Sequence, residues 1–204
     1  MYLLETQSTQ RVGRLHNTLN DKKEKEMREV KSMVVGLMAC ACLLSTAGMA
    51  SAFGTDKFKE ELTKEKEAVT LMREAQQGGY GVVTAEELKG MIDAGKELVI
   101  VDTMPYEDSY KKNHIPGAKQ FLFPIPEMKQ WNTQETDGKS QKDFEALLGP
   151  DKNKVIVIYC GFVKCTRSHN GATWAKKLGY TNVYRQPGGI FAWKGADYPV
   201  STVQ

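Results

Sequence analysis

The sequence predicts an α/β fold in which a small, mainly parallel sheet is flanked by helices. Short apolar segments rich in β-branched residues, in "ELVIVD", "KVIVIYC" and "NVYR", predict strands. Segments with helical patterns and glycine stops separate them, and strands that alternate with helices are typical of a parallel sheet. A chain of 204 residues has room for one such domain and an appendage.

Composition indicates a globular protein and excludes some functions. Hydrophobic residues make up 41% of the chain and charged residues 26%, which is enough apolar content for a core. The net charge is only +3, and Lys and Arg alternate with Glu and Asp instead of forming a basic block. We therefore expect no nucleic-acid partner.

The most apolar run of the chain, residues 33–44, predicts a signal peptide. A membrane-spanning helix needs about 20 apolar residues, whereas a signal-peptide core needs roughly 7 to 15. Arg28 and Lys31 precede the run, and Ala50 and Ala52 form the A-x-A pattern of a signal-peptidase site. We expect cleavage after Ala52 and a periplasmic or secreted protein.

A chain starting at Met27 would carry a complete signal peptide in residues 27–52, so residues 1–26 are interpreted as a non-native extension. An uncleaved signal acting as a membrane anchor is the alternative, and it would be the only link to a membrane. A lipoprotein attached at Cys40 is less favoured, because too few apolar residues precede that cysteine. Cleavage would also remove Cys42.

The remaining chain is expected to hold an N-terminal helix in residues 53–79 and a domain in residues 80–204. Spaced apolar residues among charged ones predict the first helix, which ends at two glycines. Thr84 and Glu87 have the spacing of a capping box, so a second helix follows and stops near Gly95.

The first buried strand is predicted at Leu98–Val101 and ends at Asp102. "PYEDSYKKN" has helical character and "HIPGA" predicts a turn. Residues 124–138 contain Pro, Asn, Thr and Gly, which indicates a long surface loop. Ser140 is the expected cap of the helix "SQKDFEALLG".

The second buried strand delivers Cys160 to a loop that leads into a helix near Ser168. Unpaired amides at a helix N-terminus and nearby positive charge lower the pKa of a thiol, and only the thiolate is a nucleophile. Gly161 permits an unusual turn and Lys164 adds charge. Arg167 can hold an anion's oxygens with two parallel hydrogen bonds. The segment predicts an anion site around a nucleophile, although a cysteine after an apolar strand is often only a buried small residue.

Four motifs in order make the chain resemble the rhodanese-like family over roughly residues 81–200: "LVIVDTMPYEDSY", "HIPGA", "VIVIYC" and "GGIFAWKGADYPV". The resemblance implies a three-layer fold and a cysteine, Cys160, that carries sulfane sulfur as a persulfide. Asp102 and His114 are interpreted as structural residues near the site. The loop residues that would bind the substrate are Gly161, Phe162, Val163, Lys164, Thr166 and Arg167.

The chain departs from the family's usual pattern at two places. Six residues separate Cys160 from Arg167, where the family commonly has four and its phosphatase-like relatives five. Met104 stands where an arginine commonly follows the strand aspartate. Both changes affect the expected substrate more than the expected chemistry.

Cys165 is a second thiol in the same loop. Its thiolate can attack a persulfide on Cys160 and close a disulfide, or it is a loop cysteine without a role. Cys165 as the nucleophile is less favoured, because it does not follow the end of the strand.

The sequence therefore predicts an exported sulfurtransferase that takes sulfur from thiosulfate or polysulfide and passes it to cyanide, sulfite, a thiol or a protein acceptor. We expect no metal and no organic cofactor. The alternative is a non-catalytic or redox-switch module with a Cys160–Cys165 disulfide, whose long loop at residues 124–138 binds a protein. A phosphatase or arsenate reductase site ranks last, because the loop length matches neither class.

Overall fold

A computed structural model describes residues 25, 27 and 56–203. The chain divides into two compact units, residues 1–62 and 63–204. The predicted signal core, the cleavage site at Ala52 and the extension ahead of Met27 lie outside the described residues, apart from Lys25. Within the described part, no helix is long and apolar enough to cross a membrane.

The first helix, α1, occupies residues 56–78 and ends where Gly79 adopts a φ of +67°. Helix α2, Ala85–Asp93, begins at the predicted capping box, in which Thr84 and Glu87 each accept a hydrogen bond from the other's amide. Both predicted helices are therefore present, and each ends close to the glycines that the sequence indicated.

Within residues 56–203, five strands form one sheet, and every pairing in it is parallel. The spatial order is β1-β5-β4-β2-β3, so β4 lies at the centre. The predicted α/β fold with a small parallel sheet is confirmed. The edge strand β1 has only two residues and was not predicted. The bounds are β1 Gly81–Val82, β2 Leu98–Asp102, β3 Lys119–Gln120, β4 Val155–Tyr159 and β5 Val183–Gln186.

Both faces of the sheet are buried, which explains why its central strands are continuously apolar. Side chains alternate along β4, so Ile156 and Ile158 join one core cluster, while Val157 and Tyr159 join the other. The first cluster packs under α3, Gln141–Leu148, and α4, Arg167–Lys177; the second contains residues of α2 and of α5, Gly189–Gly195. The result is a three-layer arrangement.

The connection after β2 contains one π-helical turn, Tyr106–Tyr110, in the segment with helical character. His114 follows it and pairs through its backbone with Ser201 near the chain's C-terminus, with N···O distances of 2.9 Å in both directions. Its ring stacks on that of Tyr110, with centroids 4.1 Å apart. His114 thereby joins the turn before β3 to the C-terminal segment.

The long segment at residues 124–138 is held by Asn170 of α4. The Asn170 side chain donates to the carbonyls of Pro124 and Pro126, at 2.8 and 2.9 Å, and accepts from the Met128 amide at 2.9 Å. A short 3-10 turn, Thr133–Glu135, lies within the segment. This predicted surface loop is therefore tied to α4 through a side chain that is itself buried.

Candidate functional site

The candidate site lies at the carboxyl end of β4, the edge of a parallel sheet where α/β proteins commonly bind ligands. Cys160 follows the last residue of the strand and is 1% exposed. The carbonyl of Tyr159 accepts hydrogen bonds from the amide and the hydroxyl of Thr103, at 3.1 and 2.8 Å. Neighbouring β2 thus fixes the strand end from which Cys160 projects.

A disulfide joins Cys160 to Cys165, with the two Cα atoms 6.2 Å apart. Cys165 is partly exposed, in contrast to Cys160. The amide of Cys165 donates to the Phe162 carbonyl at 3.0 Å, which turns the loop back toward the strand. The structure therefore holds the loop in its oxidised form, with the two sulfurs bonded.

Several backbone amides ahead of Cys165 have no hydrogen-bond acceptor within the described residues. Within residues 56–203, those of Gly161, Phe162, Val163 and Lys164 donate no hydrogen bond. Helix α4 begins at Arg167, one residue before the predicted start, so its first amides also face this end of the loop. The segment has the donors that the predicted anion site requires.

The first residues of α5 pack directly on the cysteine loop. The amides of Ile190 and Phe191 donate to the carbonyls of Cys160 and Gly161, each at 3.0 Å. Gly189 has a φ of +59°, and a Cβ there would overlap the Cys160 carbonyl oxygen. Only glycine fits this position without displacing the loop.

Arg185 of β5 holds the other end of the loop, and sequence reasoning missed it. Its side chain is fully buried, and Nη2 donates to the carbonyls of Val163 and Cys165 at 3.1 and 3.0 Å. Its Nε donates to Ser168 at 2.9 Å, and Nη1 pairs with Glu74 of α1. The arginine inside the predicted short strand "NVYR" was the available signal, because an arginine buried in a sheet needs partners.

The two predicted cationic residues of the loop differ in their surroundings. Lys164 is 65% exposed and lies 2.9 Å from Glu67 of α1. Arg167 is partly buried, and its Nη1 donates to the Phe123 carbonyl. Burial lowers the pKa of Arg167 from its usual value. The Thr166 hydroxyl also has a partner, since it donates a hydrogen bond to the Ile125 carbonyl.

The remaining predicted residue near the site, Asp102, is fully buried at the end of β2. One carboxylate oxygen accepts from the Met104 amide at 2.9 Å, and the other has no partner within the described residues. Burial raises the pKa of Asp102 to about 6, against a smaller lowering by the Met104 hydrogen bond. Asp102 pairs in register with Tyr159, whose pKa burial also raises.

Two apolar features border the cysteine loop. Phe162 and Phe191 are 46% and 65% exposed, and their rings lie 5.6 Å apart at the outer side of the loop. A cavity of about 260 Å³ lies on another side, between Leu71 of α1 and Val163 and Thr166 of the loop. Helix α1 therefore forms part of the loop's surroundings.

The chain belongs to the rhodanese-like domain family, which it matches over residues 84–196. Members of this family are often sulfurtransferases, although many are non-catalytic. The fold, a five-stranded parallel sheet flanked by helices, is the fold of this family. Helix α1, with Glu67 and Glu74, lies ahead of the matched residues.

Solved structures with similar folds include three from bacteria. A thiosulfate sulfurtransferase from Pseudomonas aeruginosa is 24% identical over 68% of this chain and 23% of that chain, with a TM-score of 0.49. A Bacillus halodurans protein is 22% identical over 64% and 83% of the two chains, with a TM-score of 0.46. A rhodanese-like domain from Anabaena is 19% identical over 60% and 79%, with a TM-score of 0.44. No curated protein matches the chain significantly.

Proposed function

We propose that the protein is a sulfurtransferase whose nucleophile is Cys160. The observation that carries the proposal is the position of this cysteine at the end of β4, in a loop whose amides from Gly161 to Lys164 make no hydrogen bond within residues 56–203. A thiol beside such donors is stabilised as the thiolate. The family to which the chain belongs often performs this chemistry.

The first step is attack by the Cys160 thiolate on the outer sulfur of thiosulfate or of a polysulfide. A bond forms between the cysteine sulfur and the sulfane sulfur, and the bond from that sulfur to sulfite or to the shorter polysulfide breaks. The loop amides and the Lys164 ammonium stabilise the anionic donor and leaving group. Arg167 contributes positive charge near the start of α4, with Nη1 on the Phe123 carbonyl.

The second step transfers the outer sulfur of the Cys160 persulfide to a thiophilic acceptor, such as cyanide, sulfite or a thiol. Both steps are displacements at sulfur, and the chain supplies the nucleophile and the anion donors from its own residues. The proposed reaction therefore uses neither a metal nor an organic cofactor. Asp102 and His114 act as structural residues, through the Met104 amide and the backbone pairing with Ser201.

The disulfide makes reduction a condition for this activity. While Cys160 is bonded to Cys165 it has no thiolate, so the oxidised loop cannot accept sulfur. An oxidising compartment, as the expected signal peptide implies, would favour this form. The same disulfide supports the second candidate function, a redox-switched rhodanese-like binding module without turnover.

Thiocyanate formation from thiosulfate and cyanide tests the proposal. The Cys165→Ser variant, in which Cys160 cannot form its disulfide, should form thiocyanate over many turnovers, and Cys160→Ser should form none. Lys142→Ala, which removes an exposed lysine of α3, is the matched control and should not change the rate when it is combined with Cys165→Ser. Absence of turnover in the folded Cys165→Ser variant with both thiosulfate and polysulfide would favour the binding module instead.

A further inference from the structure

Cys165 lies within bonding reach of the Cys160 sulfur, and so of a persulfide formed there. The two sulfurs are bonded in this structure, so the backbone conformation that brings them together needs no rearrangement of the fold. A thiol held on the same loop reacts at an effective concentration far above that of thiols in solution. Any external acceptor of the persulfide sulfur therefore competes with Cys165, a thiol of the same loop that is always present.

The position of Cys165 is maintained by Arg185 as well as by the disulfide. Arg185 binds the carbonyl of Cys165 itself and that of Val163, and it is fully buried and paired with Glu74. These contacts involve backbone oxygens and carboxylate, which do not change when the disulfide is reduced. The reduced loop should therefore keep Cys165 near Cys160.

The two cysteines differ in their access to molecules outside the protein. Cys160 is 1% exposed, whereas Cys165 is partly exposed. An external thiol therefore reaches the disulfide at the sulfur of Cys165. Cys160 is then the leaving group, and the unused amides of its loop stabilise the departing thiolate.

We propose that Cys165 resolves the Cys160 persulfide, which makes the protein a thiosulfate:dithiol sulfurtransferase that releases hydrosulfide; the inference rests on the proposed persulfide chemistry. The Cys165 thiolate attacks the inner sulfur of the persulfide, the Cys160–Cys165 bond forms, and the outer sulfur leaves as hydrosulfide. The oxidised loop of the structure is the product of this step.

An external dithiol completes the cycle. One of its thiolates attacks Cys165 and displaces the Cys160 thiolate, and its second thiol then displaces Cys165 from the mixed disulfide. In sum, thiosulfate and a dithiol give sulfite, hydrogen sulfide and the oxidised dithiol. The dithiol loses two electrons and two protons, and the sulfane sulfur gains them. The partner class is thus a dithiol, either a small molecule or a protein.

A single-turnover experiment separates this inference from the proposed function. Reduced protein, freed of reductant and mixed with excess thiosulfate, should release one sulfite and one hydrosulfide per chain and end as the disulfide. Added dithiothreitol should make hydrosulfide release continuous. The Cys165→Ser variant should release sulfite and stop at the persulfide, and Cys160→Ser should release neither product.

Sulfite release from the unmodified protein with a stable persulfide and no hydrosulfide would overturn the inference and leave the proposed function intact. Absence of sulfite with thiosulfate, together with absence of a persulfide and of hydrosulfide with polysulfide, would overturn both. A further test uses Glu74→Gln and measures the ratio of thiocyanate to hydrosulfide that forms when cyanide competes with Cys165. A ratio of two products does not change when part of the protein is unfolded. Misplacement of Cys165 should raise this ratio on the order of tenfold or more, while Glu65→Gln, at an exposed position on the same helix, should leave it unchanged.

Discussion

Arg185 and Glu74 form an ion pair in which the arginine side chain is fully buried and the glutamate is 17% exposed. The pair joins β5 to α1, a helix outside the residues that match the family. Through its remaining donors, Arg185 also binds the cysteine loop. The conformation of the proposed active-site loop is therefore coupled to the attachment of α1.

Removal of the Glu74 charge should destabilise the protein. Glu74→Gln leaves the buried Arg185 guanidinium without its counter-charge, and breaking a buried ion pair by removing one partner costs about 3 kcal/mol or more. Urea denaturation of the reduced protein measures the effect. Glu67→Gln is the matched control, because its partner Lys164 is exposed and the expected loss is below about 1 kcal/mol. Equal stability of the two variants would contradict the coupling.

Gly189→Ala should disrupt the cysteine loop. The added methyl group would overlap the Cys160 carbonyl, and the φ of +59° disfavours any residue but glycine. We expect a loss of at least about 2 kcal/mol in the free energy of unfolding and reduced sulfurtransferase activity. Gly195→Ala, at the end of the same helix with open space around it, should be nearly neutral. A Gly189 variant of normal stability would show that this contact is not required.

Stability should depend on pH through Asp102. Burial raises its pKa from 3.8 to about 6, so the folded protein binds this proton more tightly than the unfolded chain does. The contribution is present at low pH and is lost as pH rises between these two values, by about 3 kcal/mol in total. Denaturation of the protein and of Asp102→Asn at pH 4 to 7 measures it. The Asp102→Asn variant should lack this decline in the free energy of unfolding. If its free energy of unfolding fell with pH as steeply as that of the unmodified protein, the decline would come from other groups.

Asn170→Ala should release the segment at residues 124–138. Three hydrogen bonds to its backbone are lost, and the buried Met128 amide and the two proline carbonyls lose their partner. We expect destabilisation of about 2 kcal/mol or more and faster limited proteolysis within this segment. Gln134→Ala, at an exposed position inside the segment, serves as the control. Unchanged proteolysis in the Asn170 variant would mean that other contacts hold the loop.

Lys164→Ala should weaken the use of thiosulfate. The exposed ammonium lies in the loop that is proposed to bind the anion, so its loss should raise KM for thiosulfate by several-fold, with a smaller change in kcat. Salt should reduce the difference from the unmodified protein, since the charge is exposed. Steady-state kinetics at two ionic strengths measures both effects. A KM that does not change would place the anion away from Lys164.

The sequence allowed the fold and the cysteine loop to be predicted, because each rests on local patterns. Continuous apolar runs indicated β2 and β4, and side-chain caps indicated α2 and α3. The two-residue strand β1 has too few residues to show a period, and its pairing with β5 depends on the rest of the sheet. It could only be found from the folded structure.

The partners of the loop were less accessible to sequence reasoning. Arg185 and Glu74 are far apart in the chain, and the contacts of Arg185 with loop carbonyls depend on the packing of β5 against α4 and the loop. Likewise, the sequence of the loop did not show that Arg167 binds the Phe123 carbonyl, because Phe123 belongs to a segment far from Arg167 in the chain. Long-range contacts of this kind leave no periodic signal.

Intact mass after exposure to thiosulfate tests the central claim, that Cys160 carries the sulfur, most directly. The Cys165→Ser variant is used because Cys165 would remove the persulfide, and Cys160→Ser is the comparison. A gain of about one sulfur atom in Cys165→Ser, reversed by a reductant and absent in Cys160→Ser, is the result that we predict. No gain in the folded Cys165→Ser variant, or a gain in Cys160→Ser, would contradict the assignment of Cys160 as the nucleophile.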